Sequence, residues 1–308
     1  MRIGTIKQIW RYPVKSMAGE QLEACSVGLN GIPGDRGWAI RDETARETTN
    51  GKHFPLLMRC SARYREAPAN GVIPHVDMRF PGGLQLGSDA PNINARLTEL
   101  LGKPVSLWPL QPASNTEHYR RRSKTARLYG RLARFRAFRA ALPVLTSFGP
   151  ANAELRESFS REPDEPIPDL STLPAELFEF TSPRGTYFDA FPIHVLTTAS
   201  LEMMKRLNPA ATWDVRRFRP NFLIETDPAI KDPIEVEWGG QKVRLGAVEL
   251  KCEIPTVRCG MTIQAQAEFP KDPSILRTIV KDADQNLGVY ATVVTAGEVR
   301  VGDVVEVN

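Results

Sequence analysis

Apolar and polar positions alternate at strand spacing through much of the first hundred residues. Ile3 to Val14 is rich in β-branched and aromatic residues and predicts a strand, closed off by Pro13. Leu22 to Val27 alternates as a second strand, Gly31-Ile32-Pro33-Gly34 makes a turn, and Trp38-Ala39-Ile40 continues as a third. Asn92 to Leu101 has helical spacing and is stopped by Gly102, with Val105 to Trp108 returning to strand. Short strands divided by Gly and Pro turns predict a small barrel or curled sheet.

The pattern then changes. Tyr119 to Leu142 carries Leu128, Leu132, Phe135 and Leu142 at helical spacing and predicts one helix ended by Pro143. Arg161 to Pro168 is a proline-rich acidic connector. From Thr186 mixed structure returns. Thr198 to Leu207 reads as a capped helix stopped at Asn208-Pro209, and Asp272-Pro273-Ser274 opens another through about Val280. Strands are expected at Arg217 to Glu225, Lys242 to Lys251 and Leu287 to Thr295, and two short ones between Gly297 and Val307.

Composition adds limits. With 308 residues, 42% apolar and 25% charged, the chain suits two ordinary globular domains or one large one. No run of 18 apolar residues is present, and the opening MRIGTIKQIWRYPV lacks the pattern of a signal peptide. Four scattered cysteines fit free thiols in a reducing compartment, so the cytoplasm is expected. The net charge of +4 is unevenly spread: Glu117 to Arg139 holds nine Arg/Lys and one Glu, hence +8, which leaves −4 elsewhere. Basic character is local, and nucleic-acid binding by the whole chain is not implied.

The candidate chemistry begins at Cys259, in Thr256-Val257-Arg258-Cys259-Gly260-Met261-Thr262, expected as a turn leading into a short strand. It belongs to no CxxC and no Cys/His cluster of zinc spacing. A thiolate is the form that attacks or ligates a metal, and a neighbouring cation stabilises it. A buried structural cysteine is the alternative. Three more stretches join cations to turns: Tyr12-Pro13-Val14-Lys15-Ser16-Met17, Gly34-Asp35-Arg36-Gly37 and Arg217-Phe218-Arg219-Pro220-Asn221, the last expected to present two arginines on one strand face. Lys, Arg, Ser and Asn together suit an anion of several oxygens such as a phosphate. His194, in an apolar run, is expected as a hydrogen-bonded core residue. His53, His75 and His118 show no spacing for a metal or a nucleophile–base pair.

Tyr-Pro-Val-Lys-Ser at 12–16, Gly-Asp-Arg at 34–36, Arg-Phe-Arg-Pro-Asn at 217–221, Arg-Cys-Gly-Met-Thr at 258–262 and Asn-Leu-Gly-Val-Tyr-Ala at 286–291 resemble the motifs of the MOSC-domain family, molybdenum cofactor proteins akin to the mitochondrial amidoxime-reducing components and their bacterial relatives. The resemblance implies a mainly β, α+β fold: an N-terminal β-barrel-like domain over 1–112, a helical basic insertion and linker over 113–182, and a MOSC β-barrel domain with peripheral helices over 183–308. It implies the molybdenum cofactor (Mo-molybdopterin), with Cys259 as the thiolate that ligates the metal. Lys15, Ser16, Arg36, Arg219, Asn221 and Arg258 would hold the pterin and its phosphate, with Thr197 and Thr198 near a hydroxyl-bearing position. The chain departs from the family at Val257, where relatives often carry Ser, and at Ile263-Gln264-Ala265-Gln266.

The activity so implied is reduction of N-hydroxylated small molecules. No four-cysteine cluster motif is present. Electrons are therefore expected from a separate ferredoxin- or cytochrome-type protein, with the basic helix either docking it or lying on an anionic membrane surface. The alternative function is a cofactor carrier or sulfur-transfer protein that uses Cys259 without turning over a substrate.

Overall fold

The computed structural model describes residues 1–69, 71–146 and 149–308, with the side chains of 124–126, 129 and 149–151 left aside. Its strands are β1 (Arg2–Arg11), β2 (Glu20–Leu22), β3 (Ala24–Val27), β4 (Trp38–Asp42), β5 (Glu47–Thr48), β6 (Ser61–Tyr64), β7 (Val76–Arg79), β8 (Gln85–Gly87), β9 (Val105–Pro109), β10 (Ile193–Thr197), β11 (Phe222–Thr226), β12 (Lys242–Leu245), β13 (Val248–Val257), β14 (Asn286–Thr295), β15 (Gly297–Arg300) and β16 (Val304–Val307). Its helices are α1 (Ile93–Leu101), α2 (Thr116–Tyr119), α3 (Lys124–Leu132), α4 (Arg136–Leu145), α5 (Gly149–Phe159), α6 (Glu176–Glu179), α7 (Thr198–Leu207) and α8 (Pro273–Asp282).

Seven strands close a barrel in the order β11-β10-β14-β13-β12-β16-β1, with β1 pairing back onto β11. Six of these strands come from the last 120 residues; the seventh is the first strand of the chain. The residues of β1 explain its place. Ile3, Ile6 and Ile9 are all buried although they are spaced by three, because bulges between Arg2 and Gly4 and between Ile6 and Gln8 rotate the strand and return each isoleucine to the barrel core. There they join Val195, Phe222, Ile224, Leu250 and Val289. Helices α7 and α8 cover the outside through a second core containing Met204, Ile275, Leu276 and Ile279.

The N-terminal unit is built from two three-stranded sheets, β5-β4-β9 and β6-β7-β8. Trp38, Ile40, Leu57, Met78, Leu97 and Val105 share its core. Residues 13–18 stitch it to β1: Lys15 N donates to Trp38 O at 2.8 Å, and Ala18 N to Cys60 O at 2.8 Å. Gly102 ends α1 in the left-handed conformation that favours glycine. Among the described residues no helix is long and apolar enough to cross a membrane.

Four local expectations change. The basic helix is broken in two, because α3 and α4 fold back over the same loop: Gly130 sits against the Glu179 backbone and Arg139 donates to the carbonyls of Ser171 and Leu173. One straight helix of that length would run roughly 36 Å and overshoot it. Pro143 lies inside α4, which ends at Leu145, within the turn that the missing N–H weakens. Residues 217–221 are not strand. Asp214 caps a 3₁₀ turn over Val215–Arg217, Arg219 takes φ 55°, and β11 starts only at Phe222. Cys259 lies two residues past β13, in a turn that leads into no strand, because Thr262 N and Oγ1 both fold back onto the Cys259 carbonyl. The two last strands also part company: β15 pairs with β3 while β16 pairs with β12 and β1.

Closure of the barrel constrains Gly4 by contact, since any Cβ there would overlap the Glu225 carbonyl on β11. Gly4→Ala is expected to lower unfolding stability by about 1–3 kcal/mol, the usual cost of forcing extra atoms into packed structure. Urea unfolding measures it, and an unchanged midpoint would show that β1 does not close the barrel.

Candidate functional site

The chain passes from β1 into a knot centred on Asp35. Its Oδ1 accepts from Tyr12 N at 2.8 Å. Its Oδ2 accepts from Arg36 and, at 3.0 Å, from Asn221 Nδ2. Asn221 completes itself by accepting from His194 N at 3.0 Å. Its amide is thereby used as a brace between β10, β11 and the 34–37 loop. Tyr12 donates to Pro220 O at 3.0 Å, and its ring lies between two guanidinium groups, Arg219 at 4.2 Å and Arg36 at 5.1 Å.

Backbone strain marks the same residues. Ser16, Arg36 and Arg219 sit at φ 70°, 52° and 55°, where non-glycine residues are uncommon. Each reversal sets a side chain. Ser16 Oγ accepts from Gly51 N at 2.9 Å. Arg219 Nη1 donates to Met17 O at 2.6 Å. Arg217, two residues earlier, faces the other way and is spent on the carbonyls of Thr212, Gln264 and Pro270. The arginine pair of the sequence motif is therefore split, one structural and one at the site.

Two cavities meet at Cys259. The smaller, about 70 Å³, is lined by Arg36, Arg219, Arg258 and His194. The larger, about 820 Å³, takes Lys15 from the N-terminal unit, Phe159 from α5 and Tyr290 from β14. Asp189, Val257, Cys259, Met261 and Tyr290 line both. Cys259 is half-buried between them, whereas Cys60 and Cys252 are fully buried.

The small cavity is cationic and incompletely paired. Arg219 Nη2, Arg258 Nε and His194 Nε2 are buried with no hydrogen-bond partner among the described residues. Burial lowers the Arg219 guanidinium to about 10, against the pull of the Tyr12 oxygen. Burial and Arg258 hold His194 well below the usual imidazole range, so it is neutral. The core placement expected for His194 is met, with backbone groups of Arg219 and Leu287 against its ring, while Nε2 has no hydrogen-bond partner among the described residues. The carboxylate nearest the junction is Asp189. More than half of its side chain is open to the cavities, and Lys15 and Arg36 hold it far below the usual carboxylate range. Lys15 Nζ donates to it at 3.0 Å and to Tyr187 O at 2.9 Å.

Unpaired buried donors of this kind are costly unless a ligand completes them, and guanidinium groups suit phosphate oxygens. The donor set fits the pterin phosphate, and the junction thiol fits a soft-metal ligand. Thus Lys15, Arg36, Arg219, Arg258 and Cys259 are brought together, with Ser16 and Asn221 behind them as braces. Thr197 and Thr198 are not. Thr197 caps α7 and donates to the buried Glu235 at 2.8 Å, while Thr198 Oγ1 bonds Thr226.

Sequence reading gave no role to Asp189, Arg161 or Tyr290, although Tyr290 lies in the motif at 286–291. Arg161 leaves the acidic connector to donate to Arg258 O at 2.9 Å and Gln285 Oε1 at 3.1 Å, and so buttresses the Cys259 turn. Its only signal was a lone arginine beside prolines.

The family model described as the MOSC domain matches residues 182–306, and that of the MOSC N-terminal beta barrel domain matches residues 3–106. Among solved structures, the YuaD protein of Bacillus subtilis is 13% identical, aligned over 100% of this chain and 96% of its own, with a TM-score of 0.42. YiiM of Geobacillus stearothermophilus is 12% identical over 38% of this chain and 54% of its own, with a TM-score of 0.30. No curated protein matches the chain.

In protein freed of metal and cofactor, iodoacetamide should label Cys259 at least tenfold faster than Cys60 or Cys252, whose thiols burial pushes up to about 12. Peptide mass spectrometry of partly alkylated native protein reads this out. Equal rates would mean that Cys259 does not face the cavities.

Proposed function

The chain belongs to the MOSC-domain family, whose domains are associated with molybdenum-cofactor-binding proteins, and from that premise we propose that it is a molybdenum-dependent reductase of N-hydroxylated compounds. The observation that carries the reading is one thiol at the junction of a cationic cavity with unpaired donors and a chamber large enough for a separate molecule. When bound, the cofactor supplies a two-electron couple that takes oxygen from the substrate. Overall, an N–O bond is cleaved, two electrons and two protons enter, and water leaves. The protein's part is to hold the phosphate with Arg219 and Arg258, fix the metal through Cys259, and keep the charge of the site balanced with Asp189 and Lys15.

A chamber of about 820 Å³ opening on Cys259 gives a separate substrate access to the thiol, which a carrier role does not require. The test is metal analysis by plasma mass spectrometry with fluorescence of the oxidised pterin. Purified protein should carry molybdenum and pterin together, Cys259→Ala should lose the metal, and Arg219→Ala should lose at least tenfold in pterin content. Full metal in Cys259→Ala would refute the ligand.

For the electron donor we propose a separate, acidic ferredoxin- or cytochrome-type protein docking on the exposed faces of α3 and α4. Arg120 and Arg134 are paired with Glu179, but Arg131 and Arg136 lie exposed beside Leu128 and Phe135. Such docking is steered by charge and screened by salt. Electron delivery should fall at least tenfold between 20 mM and 500 mM salt, and rates that stay constant would remove this face from consideration.

A further inference from the structure

The two cavities differ in sign. The smaller brings the guanidinium groups of Arg36, Arg219 and Arg258 against the single carboxylate of Asp189. The larger is lined by six carboxylates and four Lys or Arg side chains. Those four cations are already engaged. Lys15 bonds Asp189, Lys52 donates to Ser158 O at 2.9 Å, Lys103 stands over the Phe54 ring, and Arg121 Nε donates to the carbonyls of Leu177 and Phe180. Carboxylates such as Glu154 and Asp169 face the same space.

The apolar part of the chamber has a distinct origin. Leu142, Leu155, Phe159, Leu170 and Phe178 line it, and all come from residues 107–181, the stretch that neither family model covers. Opposite them stand Ile254, Met261 and Tyr290, beside Cys259. The stretch is anchored to the thiol's turn. Arg161 holds the Arg258 carbonyl, and Ser160 packs so closely on Gly260 that a Cβ there would overlap it. The wall is therefore fixed relative to the reacting end.

We propose that residues 107–181 make the large chamber a binding site for neutral or cationic molecules with a bulky apolar body, and that it turns anions away. For the chemistry done on the bound molecule this rests on the reading of Cys259 given above. Size and lining fit a ligand of two or three rings. Charge fits as well: reduction of a neutral amidoxime yields a cationic amidine, which a chamber richer in carboxylates holds without penalty, whereas an anion meets six carboxylates against four cations. Nucleotide-like substrates are excluded on the same ground.

The test uses the full chain and three probes: 2-naphthamidine, acetamidine and 2-naphthoate. Dissociation constants come from calorimetry, and occupancy is read as protection of Cys259 from iodoacetamide. 2-Naphthamidine should bind about tenfold or more tighter than acetamidine, from burial of its rings, and should protect Cys259. 2-Naphthoate, of the same shape and opposite charge, should bind at least tenfold more weakly than 2-naphthamidine. Leu155→Trp, which fills the wall, should cost 2-naphthamidine at least tenfold in affinity. Equal affinity of the two naphthyl probes overturns the charge assignment whatever the variant does. Unaltered 2-naphthamidine binding in a folded Leu155→Trp protein, checked by its melting curve, overturns the role of the inserted stretch. Neither readout needs metal or turnover. A chain that binds 2-naphthamidine as expected yet carries no molybdenum would sink the redox reading and leave this one standing.

Discussion

Arg36, Arg219 and Arg258 are packed within one small space with too few anions to balance them, and the rest of the site is arranged around that fact. Burying a charge costs several kcal/mol unless it is paired. This chain offsets part of the cost with aromatic faces: Tyr12 lies between Arg36 and Arg219, and Phe218 lies under Arg258 at 5.3 Å. Asp35 neutralises Arg36, and Asp189 stands at the edge. Arg219 Nη2 and Arg258 Nε still lack acceptors. An anion supplies what is missing, so affinity for one is built into the fold before any particular ligand is considered.

That arrangement requires the two ends of the chain to be locked together. Tyr12 follows directly on β1, and β1 is a stave of the barrel formed otherwise by residues 193–307. The loop carrying Lys15 and Ser16 therefore leaves the barrel wall at a fixed point and is then stitched to β4. Had β1 belonged only to the N-terminal sheets, Lys15 and Arg219 could shift as the two units moved. Strained backbone at Ser16, Arg36 and Arg219 persists because this framework over-determines it.

Much of the fold was legible because its signals are local. Gly102 after α1, Asp272-Pro273 before α8 and Asn208-Pro209 after α7 each fix an element end by their own chemistry. Cys259, Arg258 and Arg219 could be singled out because a thiol beside a cation and arginines beside turn residues suit a metal and an oxyanion. What could not be read depends on direction and distance. Thr197 and a cofactor-binding hydroxyl look alike in a sequence; Ser200 N makes Thr197 the cap of α7, and Glu235, 38 residues away, takes its hydroxyl proton and turns it from the site. Arg217 and Arg219 look equivalent, and a single left-handed residue sends them to opposite sides. Asp189 lies in no motif, and its importance comes from Lys15, Arg36 and Lys52 converging on it in space.

The meeting of two chambers at one sulfur has a consequence for its chemistry. On one side the thiol faces guanidinium groups that favour negative charge; on the other it faces a mostly apolar space with a carboxylate excess. A ligand atom arriving from the large chamber therefore reaches the sulfur from the side opposite the guanidinium groups. The unpaired donors that suit a phosphate lie in the small cavity, and the apolar wall that suits a ring system lies in the large one. Val257, on the dividing strand where a hydroxyl would have served both sides, keeps that boundary apolar.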